Sequence, residues 1–363
     1  MDKKRIIVGI LSPLAAISAS LAAGALIVYL TGEDPVEVFL ALFRGIFGTP
    51  YGIGQVLFYA TPLIFTGLAV SYAFKAGLFN IGCDGQMYMG AILCAWLGWM
   101  FRGLPAFFLF PVCFAGAVAG GALWGAIPGL LKARTGAHEV ITTIMMNFIA
   151  LALTNYIVSV HFSVPGTVRT PDIGAGARIA RIEQHLPFFK GSCVNYTLLI
   201  ALVSVFFVWY VLWLSRAGFE TRAAGYNKDA AGYAGIDIRK IIVTSMAVSG
   251  GLAGMAGINF VMGYKHYFEQ GLSGGAGFMG IAVALLARNN PFNVVLSALF
   301  FGAMTFGGLL INSIVPKELI EIMQAIVIFF VVIGNTVITK FFIKIHLQKP
   351  VQKEYAAGGR TDD

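Results

Sequence analysis

The chain is poor in charge. Of its 363 residues only 12% are Asp, Glu, Lys or Arg, whereas soluble domains carry roughly 25%. A wettable surface of this size cannot be built from so few ionic groups, which excludes a water-soluble fold. Cysteine is scarce too. Cys83, Cys94 and Cys113 lie in or beside apolar runs and Cys193 stands alone in a polar stretch, so neither a disulfide framework nor a CxxC metal site follows. No GxxxxGK[ST] sequence occurs, hence no P-loop for ATP. His138-Glu139 starts like a zinc-protease motif, but the second histidine would fall at Thr142, so no metal and no cofactor is implied. His161, His185, His266 and His346 sit near loops, where no Ser-His-Asp or Cys-His set can be assembled. No catalytic residue is assigned. Charged residues are almost absent from the apolar runs, whereas ion-coupled pumps use intramembrane Asp, Glu, His or Lys as relays.

What the chain has in quantity is apolar sequence, 58% of it hydrophobic. A bilayer-spanning helix needs about 20 largely apolar residues. Ten such runs are expected, at about 6–30, 55–74, 86–101, 105–127, 140–162, 196–214, 241–263, 276–287, 292–312 and 319–342. The eighth, about 12 residues, is too short to cross alone at about 1.5 Å per residue and reads as a partial helix. The fold class is therefore all-α, a polytopic membrane protein forming one membrane-embedded domain over residues 1–363. The opening Met1-Asp2-Lys3-Lys4-Arg5 and the long run after it read as an uncleaved first span. The 44 glycines include pairs four apart (Gly116 and Gly120, Gly125 and Gly129, Gly250 and Gly254), the spacing of close helix packing in lipid. With both termini in the cytoplasm, most of the 25 Lys and Arg fall on the cytoplasmic side. Their scatter among loops does not suit a nucleic-acid surface. An amphipathic segment at 36–47 suits a short helix along the outer surface.

Gly85-Gln86-Met87-Tyr88-Met89-Gly90-Ala91 resembles Gly275-Ala276-Gly277-Phe278-Met279-Gly280-Ile281. Each follows a long apolar run, and the two runs point in opposite directions. That suggests an inverted repeat with halves at 55–162 and 241–342, against chance similarity of glycine-rich stretches.

Three stretches carry chemistry. In Phe79-Asn80-Ile81-Gly82-Cys83-Asp84-Gly85-Gln86, glycines interrupt a run that holds Asn80, Asp84 and Gln86. Two readings stand: a helix break facing a cavity, with Gly82 and Gly85 (and Gly274, Gly275 and Gly277 in the second copy) as its hinges, or a headgroup-level loop in which Asp84 is solvated. Asn147 and Asn155, eight apart after Glu139, are either interhelical glue or path lining, and Asn259 is a further candidate for path lining. Candidate path residues are thus Asn80, Asp84, Gln86, Asn147, Asn155 and Asn259. The third stretch is the cytoplasmic loop 215–240. Within it Asn227 reads as an N-cap, Asp229 suits the first turn and Gly235 the stop. Ala230, Ala231 and Ala234, beside Tyr233, offer a small exposed face for a soluble partner.

At these stretches, and at Gly277-Phe278-Met279-Gly280-Ile281-Ala282-Val283-Ala284-Leu285-Leu286-Ala287-Arg288-Asn289-Asn290-Pro291, the chain resembles the permeases of ABC importers for nucleosides and simple sugars, those served by basic-membrane-protein-type lipoproteins. The match runs from about 55 to 340. The resemblance implies a ten-helix inner-membrane permease with inverted repeats. It implies a second permease chain, two ATP-hydrolysing sites on partner subunits, and a solute-binding lipoprotein outside. Purine nucleosides are the commonest expected solute, and riboflavin systems use similar permeases. An ion-coupled carrier or a non-transporting assembly factor are the rival classes.

Overall fold

The computed structural model describes residues 18–19, 21–30, 32–312, 318–326 and 328–330, which are mostly helical with no extended strand among them. Twelve helices are named here in chain order: α1 (Leu21–Leu30), then α2 (Pro35–Phe47), α3 (Pro50–Lys75), α4 (Cys83–Met100), α5 (Ala106–Thr135), α6 (Glu139–Tyr156), α7 (Thr197–Leu214), α8 (Arg216–Tyr226), α9 (Lys228–Tyr233), α10 (Ile238–Val261), α11 (Ala276–Leu286) and α12 (Pro291–Leu310). Helix α6 continues through a π turn at Ile157–His161. By length and composition α3, α5, α6 with its π turn, α7, α10 and α12 can cross a membrane, while α1 and α11 are apolar but shorter. The chain is a multi-pass membrane protein. The expected runs at 6–30 and 319–342 lie largely outside the described residues.

Local chemistry sets the helix ends. Asp34 accepts from the Val36 N–H and starts α2 over the expected amphipathic segment. Thr49 caps α3 and Asn290 caps α12, each followed by a proline at the first position, where a missing N–H costs nothing. Helix α5 overruns its expected end near 127 and stops only at Gly136, which is left-handed at φ 74°. Lys132 and Arg134 in the last turn favour that extension, because cations suit a helix C-terminus.

The core is built on α3 and α10. Within their membrane windows 83% and 78% of residues are buried, against 28–44% for the other four spans, so these two helices stand inside a ring of the rest. Their partners are exchanged between the two ends of the chain. Helices α4 and α5 pack on α10 and on each other, whereas α11 and α12 pack on α3. Glycine makes the first contact possible. A Cβ on Gly90 of α4 would lie 2.6 Å from the Cα of Gly254, and one on Gly121 of α5 would lie 2.2 Å from the carbonyl of Gly250. On the other side, Gly280 of α11 meets Thr66 and Gly302 of α12 meets Ala60. Lipid supplies no hydrophobic drive between helices, so close approach of this kind holds the bundle together. The outer faces of α6 and α7 expose Phe148, Phe206 and Phe207, as lipid-facing surfaces do.

Residues 162–196 fold back over one end of α10 instead of looping freely. The N–H groups of Thr170, Ile173 and Ile179 donate to the carbonyls of Phe268, His266 and Met262 at 2.8–2.9 Å.

Candidate functional site: a helix break beneath an aromatic cavity

The segment joining α3 to α4 is broken, and amides hold the break. Gly77 turns the chain at φ 69°. Asn80, fully buried, donates through Nδ2 to Gln86 Oε1 at 2.9 Å and to Ser249 Oγ at 2.8 Å. Its Oδ1 accepts from the Gly82 N–H at 2.9 Å and from Gln86 Nε2 at 3.1 Å. Ser249 donates onward to the Ala69 carbonyl. Across the gap, Asn147 on α6 accepts from the Gly85 N–H at 2.8 Å and donates to the Ile81 carbonyl at 2.9 Å. It therefore caps the start of α4 from a different helix, satisfying a backbone donor that the broken turn leaves open.

Gly82 itself is not the hinge expected of it. Its φ is −83°, an ordinary value, and what sets it apart is close approach: a Cβ there would press on the side chains of Gln86, Asn80 and Thr143 at 3.0–3.2 Å. Gly85 likewise lies inside α4, against the Asn147 backbone. The second break differs: Gly274 and Gly275 are left-handed at φ 52° and 81°, and α11 begins directly after them.

The starts of α4 and α11 meet at Asp84. A Cβ on Gly277 would lie 2.3 Å from the Asp84 Cα. The Asp84 Oδ1 is buried with no hydrogen-bond partner, and nearby Ser273 donates to the Tyr88 hydroxyl at 3.4 Å. Two helix N-termini thus converge on one carboxylate, the charge that their dipoles favour.

A cavity of about 700 Å³ opens beside this junction, walled by α3, α11, α12 and by Ile320, Glu321, Gln324, Ala325 and Ile328. Phe58, Tyr59 and Tyr264 form an aromatic side, with Phe58 and Tyr264 edge-on at 5.1 Å. Thr305 and Gln324 form a polar one, with Gln324 Nε2 donating to Thr305 Oγ1 at 3.3 Å. Ser273 lies at its foot. Lys265 and Glu321 are the charged residues lining it, and Lys265 is paired with Glu269.

None of the six residues expected along a path lines this cavity. Asn80, Gln86 and Asn147 are fastened into the break. Asn259 stands behind the wall, accepting from Asn195 and donating to the Phe58 carbonyl. Asn155 lies on α6 with its Oδ1 unpartnered. The cavity residues Tyr59, Thr305 and Gln324 went unread because each is a lone polar group in an apolar run, where nothing marks it. A direct consequence is testable. Asn80→Leu strands the Gly82 N–H, Gln86 and Ser249, at about 1–3 kcal/mol for buried groups left unpaired, and thermal unfolding of the purified protein is expected to show a clear fall in Tm. Asn155→Leu removes an atom that has no partner and is expected to leave Tm unchanged or raised.

In the 215–240 segment, Asn227 caps α9 by accepting from the Asp229 and Ala230 N–H groups, both at 3.0 Å, and Gly235 ends it at φ 83°. Ala230 and Ala234 are exposed and Tyr233 is 95% exposed. The expected face needs one correction: Ala231 is buried, packed with Ala224 and Ile241, so it anchors α9 to its own chain.

A bundle of crossed membrane helices, interrupted at two glycine breaks around a cavity and carrying its exposed cap on a polar loop, is the architecture of a membrane permease. The chain belongs to the family described as "Branched-chain amino acid transport system / permease component", whose model matches residues 52–332. It is similar to the guanosine ABC transporter permease protein NupP of Bacillus subtilis, 43% identical over 89% of this chain and 92% of the relative. It is also similar to the nucleoside ABC transporter permease protein NupB of Lactococcus lactis (34%, covering 94% and 93%) and to the glucose ABC transporter permease protein TsgB13 of Haloferax volcanii (33%, covering 88% and 86%). A second permease from each of the first two organisms, NupQ and NupC, matches at 27% and 26%.

Proposed function

We propose that the chain is the permease subunit of an ATP-driven ABC importer that carries a purine nucleoside into the cytoplasm. The observation that carries this reading is the 43% identity to a guanosine permease over nearly the whole of both chains. The cavity supports it. Aromatic walls suit a flat base, a carboxamide and a hydroxyl suit its edges, and about 700 Å³ falls within the usual range for small-molecule sites. The path runs through this cavity, and the amides of the break act as its frame. The similarity of α4 packed on α10 to α11 packed on α3 supports an inverted repeat.

The subunit hydrolyses no ATP itself. It pairs with a second, related permease, as NupP and NupB have counterparts in their own organisms. Two ATPase sites sit on the cytoplasmic side against α9, a solute-binding lipoprotein delivers the nucleoside from outside, and both termini are cytoplasmic.

The double variant Thr305→Val with Gln324→Leu tests the path. Two lost hydrogen bonds of about 1 kcal/mol each are expected to lower uptake by about tenfold or more, with the ATPase still recovered in the complex. Undiminished uptake would remove this cavity from the route.

A further inference from the structure

Two cations share one indole at the end of α7. Lys75, the last residue of α3, stands 5.5 Å from the ring centroid of Trp213, and the guanidinium of Arg222 on α8 stands 5.9 Å from the same centroid. The two are electrostatic neighbours, and like charges in a partly buried corner repel. Several other cations in the chain are answered by acids: Lys132 by Glu139, Lys265 by Glu269, Arg169 and Arg178 by Asp172, Arg181 by Glu183, Arg216 by Glu220. Among the described residues no carboxylate pairs with Lys75 or Arg222, and Arg222 Nε is buried with no acceptor.

The backbone holds the pair together. A Cβ on Gly225 of α8 would lie 2.1 Å from the Lys75 carbonyl and 3.0 Å from the Gly77 nitrogen. Helix α8 is thus pinned to the end of α3, and the cations cannot part without unpicking that contact. Leu214 and Phe219 are 62% and 61% exposed beside the otherwise polar α8, an apolar and polar mixture around a tryptophan that suits the membrane interface.

We infer that Lys75, Arg222 and Trp213 form a binding site for the phosphate of an anionic phospholipid headgroup. Guanidinium and ammonium donors supply charge-assisted hydrogen bonds to phosphate oxygens, and the anion offsets the repulsion between them. A lipid held there bridges α3 to α8, which leads directly into the capped helix α9. This site is independent of which solute the transporter carries.

A free phosphate ion has the same chemistry, so the test separates the two. The full-length chain in its purified transporter complex is reconstituted with phosphatidylglycerol and phosphatidylcholine, extracted in mild detergent, and its bound lipid read by native mass spectrometry. Wild type is expected to retain phosphatidylglycerol over phosphatidylcholine, and Lys75→Gln with Arg222→Gln to retain about tenfold less. Lys75→Arg, which keeps the charge and shows that the complex tolerates change there, is expected to retain it. Arg239→Gln, which removes another exposed cation, is expected to match wild type. Equal retention by the double variant, or an equal loss in Arg239→Gln, would overturn the site. Displacement of the lipid by millimolar inorganic phosphate, with phosphate adducts in its place, would overturn the lipid assignment.

Discussion

Gly254→Leu is expected to leave almost no folded protein in the membrane. A Cβ at this position would lie 2.3 Å from the Ala117 carbonyl and 3.1 Å from the Gly121 Cα, backbone atoms that have no rotamer to turn away. Helices α5 and α10 would have to separate along a seam that also includes Gly90, Gly120, Gly121 and Gly250. Overpacking a tight core typically costs about 1–3 kcal/mol, and parting two backbones costs more because every neighbouring contact is lost with it. Against a total stability of about 5–15 kcal/mol, that is disabling. Gly103→Ala is the control: no atom lies within 4 Å of its Cβ and its φ is not positive. Membrane-inserted, monodisperse protein measured by fluorescence-detected gel filtration should fall at least tenfold for Gly254→Leu and stay level for Gly103→Ala. Normal yield from Gly254→Leu would mean that α5 and α10 are not so closely packed.

Ala234→Arg is expected to abolish recovery of the ATPase while leaving the permease folded. Ala230 and Ala234 are exposed, and at i, i+4 they share a face of the capped helix. Among the described residues both side chains are exposed, so a long side chain there disturbs no internal packing. In a close-fitting partner groove the same side chain meets the overpacking penalty and an unpaired charge. Ala230→Arg should behave alike. Tyr233→Ala is expected to cost about 2 kcal/mol or more if this exposed ring is an interface anchor. Ala231→Arg should instead disorder the loop, because Ala231 packs inward on Ala224 and Ile241. Pull-down of the ATPase from detergent-solubilised variants checks this, with undiminished recovery from Ala234→Arg removing α9 from the interface.

Much of the bundle was legible in the sequence, since apolar length is a strong signal and the capping residues are local. Seven of the expected runs, from 55–74 through 241–263 and on to 292–312, meet helices within a few residues; α5 alone overruns badly. There the eye stops at rising polarity near Ile127, whereas the helix stops only where Gly136 turns left-handed. The break at Asn80 was visible as glycine beside amides. What was not visible is why each glycine is there. A glycine chosen for positive φ, as at Gly275, and one chosen for close approach, as at Gly82 or Gly277, look alike in a sequence and separate only when neighbours are known. Amides are ambiguous in the same way. Asn147 in an apolar run reads equally as path lining and as a fastener, and its two hydrogen bonds to the break come from residues more than sixty positions away. Ala231 was misplaced because a six-residue helix gives too little periodicity to tell its inner face from its outer one.

The central claim is that this permease works within an ATP-driven complex and passes a nucleoside. Proteoliposomes carrying the chain with its partner permease, ATPase and binding protein give the direct measurement. Labelled guanosine, adenosine, riboflavin, ribose, glucose and leucine are compared, with and without lumenal or external ATP as the ATPase orientation requires. Guanosine or adenosine uptake that needs ATP and survives collapse of ion gradients is the expected result. Uptake that persists without ATP while an ion gradient stands, or transport confined to leucine or a sugar, would contradict it.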